Sequence, residues 1–358
     1  MKILHLIYDH IKNPWIGGGG AVRCFEINRK LAKKGHKITV ICGKFPKAED
    51  YIEEGVEFRF FGNDKNYILS TLSYAFEAKK SLKKIYQNFD IVVEDFAPWN
   101  PVFSYKIQNM KPVVLQIHHK EGVKILKRYN VFGIPFYFVE NFYPKKFKNI
   151  ISVSDETLNK FGVVGKVIPN GINEDLLKEK VYPGGKYCLY LGRIDFYNKG
   201  IDILLKAFEE LDIKLKIVGT GKDKAKLEKI IKNRKNIEYL GKVNEKEKVE
   251  IIKNSRFLIM PSRYEGQGIV ALESAALGKP VVVSDIPELG YVVQNRFGIS
   301  FRSDDWKDLK DKVKALWSDE KTLEMLGSNG RKYAENYTWD KLAYVYEEYL
   351  HSICLKGG

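Results

Sequence analysis

Along residues 1–170, short β-branched runs alternate with longer stretches whose apolar positions recur every three or four residues. Ile3–Tyr8, Lys37–Cys42, Asp90–Glu94, Pro112–Ile117, Asn149–Val153 and Lys166–Ile168 are predicted strands. Ala21–Lys34 and Leu69–Tyr86 are predicted helices. Strand–helix alternation predicts a parallel sheet with helices on both faces. The pattern restarts at Lys186, with strands expected at Tyr187–Leu191, Lys214–Val218, Ile237–Leu240, Phe257–Met260 and Pro280–Ser284. Helices are expected at Ile201–Leu211, Lys222–Lys232, Glu245–Lys253 and Ile269–Leu277, and three more after Asp304. The fold class is α/β: two doubly wound, Rossmann-like domains facing across a cleft, with ligands beyond the carboxyl ends of the strands. The expected boundaries are 1–170, a linker at 171–185 containing Pro183-Gly184-Gly185, and 186–337. Residues 338–358 are expected to form a last helix packing back on the first domain.

Length agrees with two domains, since 358 residues is about twice a typical domain. No apolar run approaches the ~20 residues that span a bilayer, and Met1–Ile7 is too short for a signal-peptide core. Cys24, Cys42, Cys188 and Cys354 lack metal-ligand spacing and are expected to be reduced thiols in a cytoplasmic protein. Charge adds something the pattern does not. Net charge is +15. Residues 1–170 carry 27 Lys and Arg against 16 acids, and residues 101–150 alone carry 9 against 2. Such a field favours phosphates, an acidic membrane surface or nucleic acid.

Five constellations carry candidate chemistry. Gly17–Gly20 follows the first strand and enters a helix expected near Ala21, so Gly19 and Gly20 could offer free amides to a phosphate. No Gly-Lys-Ser/Thr follows, so it is not a Walker loop. Arg193 and Lys199 flank the end of the first strand of the second domain, where two fixed cations suit a diphosphate that gains charge as it leaves. Val218-Gly219-Thr220-Gly221 fits a strand-to-helix turn but lacks the third glycine of a dinucleotide fingerprint. The segment Pro261–Glu273 places Glu265 in a turn and Glu273 in a helix, with Gly266, Gly268 and Ile269 opening that helix toward an anion or sugar oxygens. A carboxylate accepts two hydroxyl hydrogen bonds, so Glu273 suits a ribose diol and Glu265 suits sugar hydroxyls. Finally, His118 and His119 end a first-domain strand.

With these residues in place, the chain resembles the retaining nucleotide-sugar glycosyltransferases of glycosyltransferase family 4, which have the two-domain GT-B fold. Glu265 and Glu273 match that family's pair of glutamates separated by seven residues, flanked by Pro261-Ser262 and Gly278-Lys279-Pro280-Val281-Val282. Gly192-Arg193, Lys199-Gly200, Asn170-Gly171-Ile172 and the glycine loop with Lys34-Gly35-His36 match too. The resemblance covers essentially the whole chain, in order. It implies that Arg193 and Lys199 bind the donor diphosphate. It implies that Glu273 holds ribose, that Glu265 and Gly266–Gly268 hold the sugar, and that Gly241–Val243 line the base. Gly219 would belong to the same donor site, and Gly19-Gly20 would lie near the phosphates and acceptor. His118 would lie beside the reacting sugar.

Three features depart from the family pattern. Gln267 stands where an aromatic is common, which implies altered sugar preference. His119 follows His118, leaving open which imidazole faces the sugar. Glu94-Asp95-Phe96 replaces a His-containing strand end and bears on acceptor geometry.

No Asp-x-Asp pair suits a metal-bound diphosphate, so activity without metal or cofactor is expected, on a UDP- or GDP-type donor. A retaining glycosidase needs two carboxylates about 5 Å apart, whereas eight helical residues span roughly 12 Å. Glu265 and Glu273 are therefore expected to bind rather than react. The acceptor is expected to be a glycan or lipid-linked hydroxyl. Lys120, Lys124, Lys127, Arg128, Lys145, Lys146 and Lys148 surround Val131–Val139, Phe142 and Tyr143. Segment 120–148 is thus a candidate for peripheral contact with an anionic membrane at the cytoplasmic face. Rival readings are a nucleotide-sugar epimerase or hydrolase on the same fold, a silent nucleotide-sugar binder, and a nicotinamide oxidoreductase. The charge has no recognition helix or aromatic sheet motif behind it, so no nucleic-acid partner is expected.

Overall fold

The computed structural model describes residues 1–181 and 184–356. Pro183 of the expected linker lies outside them. The chain divides into two compact units, one formed by residues 1–170 with 339–358 and the other by residues 171–338.

The first unit holds an eight-stranded sheet. Its strands are β1 (Lys2–Leu6), β2 (Lys37–Gly43), β3 (Tyr51–Glu53), β4 (Val56–Phe61), β5 (Ile91–Asp95), β6 (Val113–Ile117), β7 (Asn149–Ser152) and β8 (Lys166–Val167). They lie in the order β3-β4-β2-β1-β5-β6-β7-β8, parallel except for β3 against β4. Val113, Val114, Leu115 and Ile117 of β6 are fully buried, as expected of a strand covered on both faces. The β3–β4 hairpin is absent from the sequence reading. Its turn uses Glu54 (φ 47°) and Gly55 (φ 81°), and β4 then pairs with β2 with alternate residues buried. The helix Trp339–Lys356 belongs to this unit. Glu347 on it accepts from Lys34 Nζ and pairs with His36 Nε2, each at 2.6 Å, and Lys30 pairs with Asp340.

The second unit holds six parallel strands: β9 (Cys188–Leu191), β10 (Leu215–Val218), β11 (Ile237–Gly241), β12 (Phe257–Met260), β13 (Val281–Ser284) and β14 (Gly298–Phe301). Their order is β11-β10-β9-β12-β13-β14. Numbered from its own first strand this is 3-2-1-4-5-6, the doubly wound order, with the reversal between β9 and β12. Alternation along each strand divides the core between two faces. Cys188, Tyr190, Leu215 and Ile217 pack with Phe208 and Leu227, while Leu189, Val218, Leu258 and Val281 pack with Leu272 and Ala275. The segment expected as a linker joins this second core: Ile172 bridges to Thr338 and Leu176 is buried. Among the described residues, no helix is long and apolar enough to cross a membrane.

Candidate active site

Each sheet reverses its strand order at one point, and the candidate residues leave the strands there. In the second unit, Gly192–Gly200 follows β9 and Pro261–Gly268 follows β12. Main-chain packing fixes these loops. Gly219 has φ 131°, and a methyl on it would collide with the carbonyl oxygen of Gly192. Gly192 N donates to Val218 O at 3.0 Å and Ile194 N to Thr220 O at 3.0 Å, so the turns after β9 and β10 form one body. Gly200 has φ 61° and lies against Pro261 O with the same intolerance of a side chain.

Arg263, left without a role in the sequence reading, ties the two loops together. Its main-chain N–H donates to Asn198 O at 2.9 Å, and its guanidinium donates to Tyr197 O at 2.9 Å and Phe196 O at 3.2 Å. It also pairs with Asp202 at 2.8 Å and Asp304 at 2.5 Å. These acids hold its pKa above the usual value for arginine. An arginine two residues before Glu265 was visible in the sequence, but its partners at 202 and 304 were not.

These loops bring Lys199 and Glu265 together as a half-buried ion pair. Glu265 also accepts from Ser262 Oγ at 2.8 Å. Arg193 is exposed, and its guanidinium makes no hydrogen bond or ion pair among the described residues. Asp195 is taken up by Asn198 and by Lys222 at 3.2 Å. Among the described residues the site therefore offers one unengaged cation, Arg193, and a second, Lys199, held by an acid that a stronger anion could replace.

The helix Ile269–Ala276 starts after Gly268 (φ 76°); Ala271 N donates to Gly268 O at 3.0 Å, and the amides of Ile269 and Val270 have no carbonyl four residues back within the helix. Glu273 lies half-buried on it and accepts from Lys248 at 2.8 Å, a partner 25 residues away that the sequence did not indicate. Burial pushes the Glu273 carboxyl up, against the pull of Lys248. Gly241 (φ 70°) accepts from Gly219 N at 2.8 Å, which puts the expected base-lining turn, with half-buried Val243, beside the Gly219 turn. Gln267 is buried, and its carbonyl accepts from Tyr291 Oη at 2.8 Å.

In the first unit the reversal lies between β1 and β5. The helix starts at Gly19, two residues before the expected Ala21, so Gly19 and Gly20 form its first turn, whose amides have no carbonyl four residues back within the helix. The preceding amides of Gly17 and Gly18 donate to the Asp9 carboxylate at 2.9 and 2.8 Å. An acid of the chain thus already occupies the outer part of the expected phosphate loop. His118 sits over Gly20; a methyl on Gly20 would lie 3.6 Å from its Nε2. That nitrogen is bonded to Asp95. His119 turns outward toward Glu121 at 3.4 Å.

Asp95, buried, also accepts from Gln116 at 2.8 Å and His5 at 2.5 Å. Beside them, fully buried Arg23 donates to Gln116, Pro169 O and Asn170. Glu94 is structural, accepting from Val102 N, Ser104 N and Tyr143 Oη.

The sheet topologies define an architecture of two Rossmann-like α/β units, and sequence comparison gives it a family. Residues 17–176 match the profile described as Glycosyltransferase Family 4, and residues 172–333 match Glycosyl transferases group 1. An uncharacterized glycosyltransferase of Methanocaldococcus jannaschii is 33% identical over 210 residues, 56% of this chain and 58% of that relative. The O-antigen chain mannosyltransferase C of Escherichia coli is 23% identical over 97% of both chains. Among solved structures, sucrose-phosphate synthase from Thermosynechococcus elongatus superposes with a TM-score of 0.83 at 18% identity, over 99% of this chain and 100% of that one. HepE from Anabaena, solved in complex with UDP and glucose, superposes with a TM-score of 0.74 at 15% identity, covering 98% and 100%.

The chain is a transferase with the GT-B fold. More narrowly, it belongs to the family 4 type of glycosyltransferase.

Proposed function

We propose that the protein transfers a sugar from a nucleotide-sugar donor, of UDP or GDP type, to a hydroxyl of a glycan or lipid-linked acceptor, with retention of anomeric configuration. The observation that carries this reading is the pairing of Lys199 with Glu265 beside unengaged Arg193 at the strand-order reversal of the second unit. A diphosphate seated there meets two cations. As the bond between C1 and the phosphate oxygen breaks, charge grows on the leaving oxygen, and cations in a partly dry site stabilise that growth. The acceptor oxygen bonds to C1 on the same face, and its proton passes to the leaving phosphate. Glu265, released from Lys199, accepts sugar hydroxyls, and Glu273 accepts the ribose diol. Arg193 and Lys199 supply the charge a metal would, so turnover is expected without divalent metal or cofactor. The UDP complex of HepE favours a uridine donor among the alternatives.

The experiment is a thermal-shift and donor-consumption screen over UDP-, GDP- and ADP-sugars in excess EDTA, with the product anomer read by NMR. One donor should raise the melting temperature, and Glu273→Ala should abolish that shift. An inverted product, or turnover restored only by Mg²⁺ or Mn²⁺, would overturn the corresponding part of the reading. Donor consumed equally fast without acceptor would favour a hydrolase or epimerase.

The acceptor side is proposed to meet an anionic membrane at the cytoplasmic face. Val131, Phe132, Phe138 and Phe142 are exposed, Phe132 by 80%, among the lysines of 120–148. The Arg128 side chain lies outside the described residues. Ile68, Leu72 and Phe76 add an exposed apolar face on the helix Tyr67–Ile85, whose last turn carries Lys83 and Lys84. Sedimentation with phosphatidylglycerol vesicles at low salt should deplete the protein from solution, and Phe132→Glu should reverse this. Absence of binding at low salt refutes membrane contact.

A further inference from the structure

We infer, resting on the proposed placement of His118 beside the donor sugar, that Asp95 is a positioning residue whose carboxylate fixes the His118 ring through Nε2 and so decides which ring nitrogen meets the donor. Asp95 closes β5, between β1 and β6. In the β5–β6 register it lies opposite Gln116, and His118 is two residues beyond Gln116, on the same face. On the other side, His5 pairs with Val93, two residues before Asp95 and again on that face. The sheet therefore delivers three donors to one buried carboxylate. Oδ1 takes Gln116 Nε2 at 2.8 Å and His118 Nε2, and Oδ2 takes His5 Nε2 at 2.5 Å.

This is a rigid mount, since two of the three donors lie within strands and the third directly follows one. Its effect on His118 follows from the imidazole itself. A ring whose Nε2–H is committed to a carboxylate has, when neutral, a lone pair at Nδ1. The remaining nitrogen then accepts a hydrogen bond and does not donate one. His118 in turn stands over Gly20, in the first turn of the Gly19–Lys33 helix. The strand end that departs from the family pattern at Glu94-Asp95-Phe96 thus has a use: it places a carboxylate against the His118 ring.

Two measurements test this. In the native full-length protein labelled with ¹⁵N-histidine, long-range ¹H–¹⁵N NMR should show His118 as the Nε2–H tautomer. A proton found on Nδ1 overturns the inference without any variant being made. The second is a cycle of Asp95→Asn, His118→Ala and the double variant. It is followed on whichever of UDP-glucose, GDP-mannose and ADP-glucose the protein consumes. Asp95→Asn should lower kcat by at least ~10-fold, change KM much less, and add nothing once His118 is alanine. If His118→Ala turns over like the native protein, the placement of His118 beside the sugar fails. If His118→Ala is slow while Asp95→Asn is normal, only the role of Asp95 fails. A loss that Asp95→Asn adds in full on top of His118→Ala means that it acts through the fold, and overturns the inference as well.

Discussion

The two strand-order reversals hold their candidate residues by opposite means. In the second unit the loops are locked by main chain: Gly219 against Gly192, Gly200 against Pro261, and amide-to-carbonyl bonds between neighbouring turns. The charged side chains sit on that frame half-buried or exposed, so their partners can be exchanged for a ligand. In the first unit the order is reversed. The frame is itself a buried set of polar side chains, His5, Arg23, Asp95 and Gln116, and the helix amides lie outside it. A glycine frame tolerates changes of charge but not of volume. A polar frame tolerates neither a lost partner nor a lost charge, because each buried group then bears its desolvation cost alone.

The sharpest way to break this contrast is Gly219→Ala. The residue must adopt φ 131° and its methyl must pass through Gly192 O. The strain and the forced shift of residues 192–194 should cost ~3 kcal/mol or more in guanidinium unfolding. Donor-induced stabilisation should vanish with it. A loss under ~0.5 kcal/mol would show that side chains, not main chain, hold this site.

Lys199→Ala tests the opposite property, that charge here works on the reaction and little on the fold. It should lower kcat by ~10²-fold, in the range for one lost electrostatic contact to a developing charge. The melting temperature should stay within a few degrees, since Glu265 keeps Ser262 and can reach water. A large fall in stability with normal kcat would make the pair structural.

These two residues also show what was legible in the sequence. Gly219, Gly200 and Gly268 were readable because a positive φ and a close approach leave one residue type able to serve. Lys199, Glu265 and Glu273 were readable because they lie at fixed offsets from those glycines. Most of the strands followed from runs of Val and Ile. What escaped was set by distant pairing: Lys248 beneath Glu273, Asp202 and Asp304 around Arg263, and His5 and His118 around Asp95. No local spacing relates position 5 to positions 95 and 118. The β3–β4 hairpin was missed although Val56–Phe61 alternates cleanly, since a parallel sheet directs attention to unbroken apolar runs.

Arg263→Ala should give a smaller effect. Its acid partners are at least half exposed, so the ion pairs themselves are screened. The loss is expected at ~1–2 kcal/mol, mainly from the carbonyls of Phe196 and Tyr197 left without a donor. Because those carbonyls belong to the turn that carries Lys199, kcat should fall together with stability, unlike in Lys199→Ala. Arg263→Lys should recover little of either, because an ammonium cannot span two acids and two carbonyls as a planar fork does.

The smallest effect should be a divergence of the two units with pH. Burial disfavours charge on His5, but Cys24 and the Asp95 carboxylate outweigh it and raise its pKa to about 10 from an ordinary 6.5. Its stabilisation is complete below 6.5 and is lost as pH rises toward 10, because the folded unit there binds the extra proton. Asp95 is held well below its ordinary 3.8; burial opposes this, and His118 and His5 outweigh burial. Its share is present above 3.8 and lost as pH falls below that. The second unit contains the opposite case. Burial, then Arg256, lowers Lys279 to about 8 from 10.5, and the ammonium donates to Gly184 O at 2.7 Å. Between 8 and 10.5 the unfolded chain binds the extra proton, so this unit gains stability as pH rises. From pH 8 to 9 the first unit should therefore weaken and the second strengthen, each by on the order of 1 kcal/mol at most. Hydrogen exchange, corrected for the intrinsic rate, reads β1 and β5 separately from β12 and β13. Protection of β1 and β5 that holds or rises from pH 8 to 9 would mean that the His5–Asp95 pair carries no net charge coupling, and protection of β12 and β13 that falls would mean that Lys279 is not held below its ordinary value.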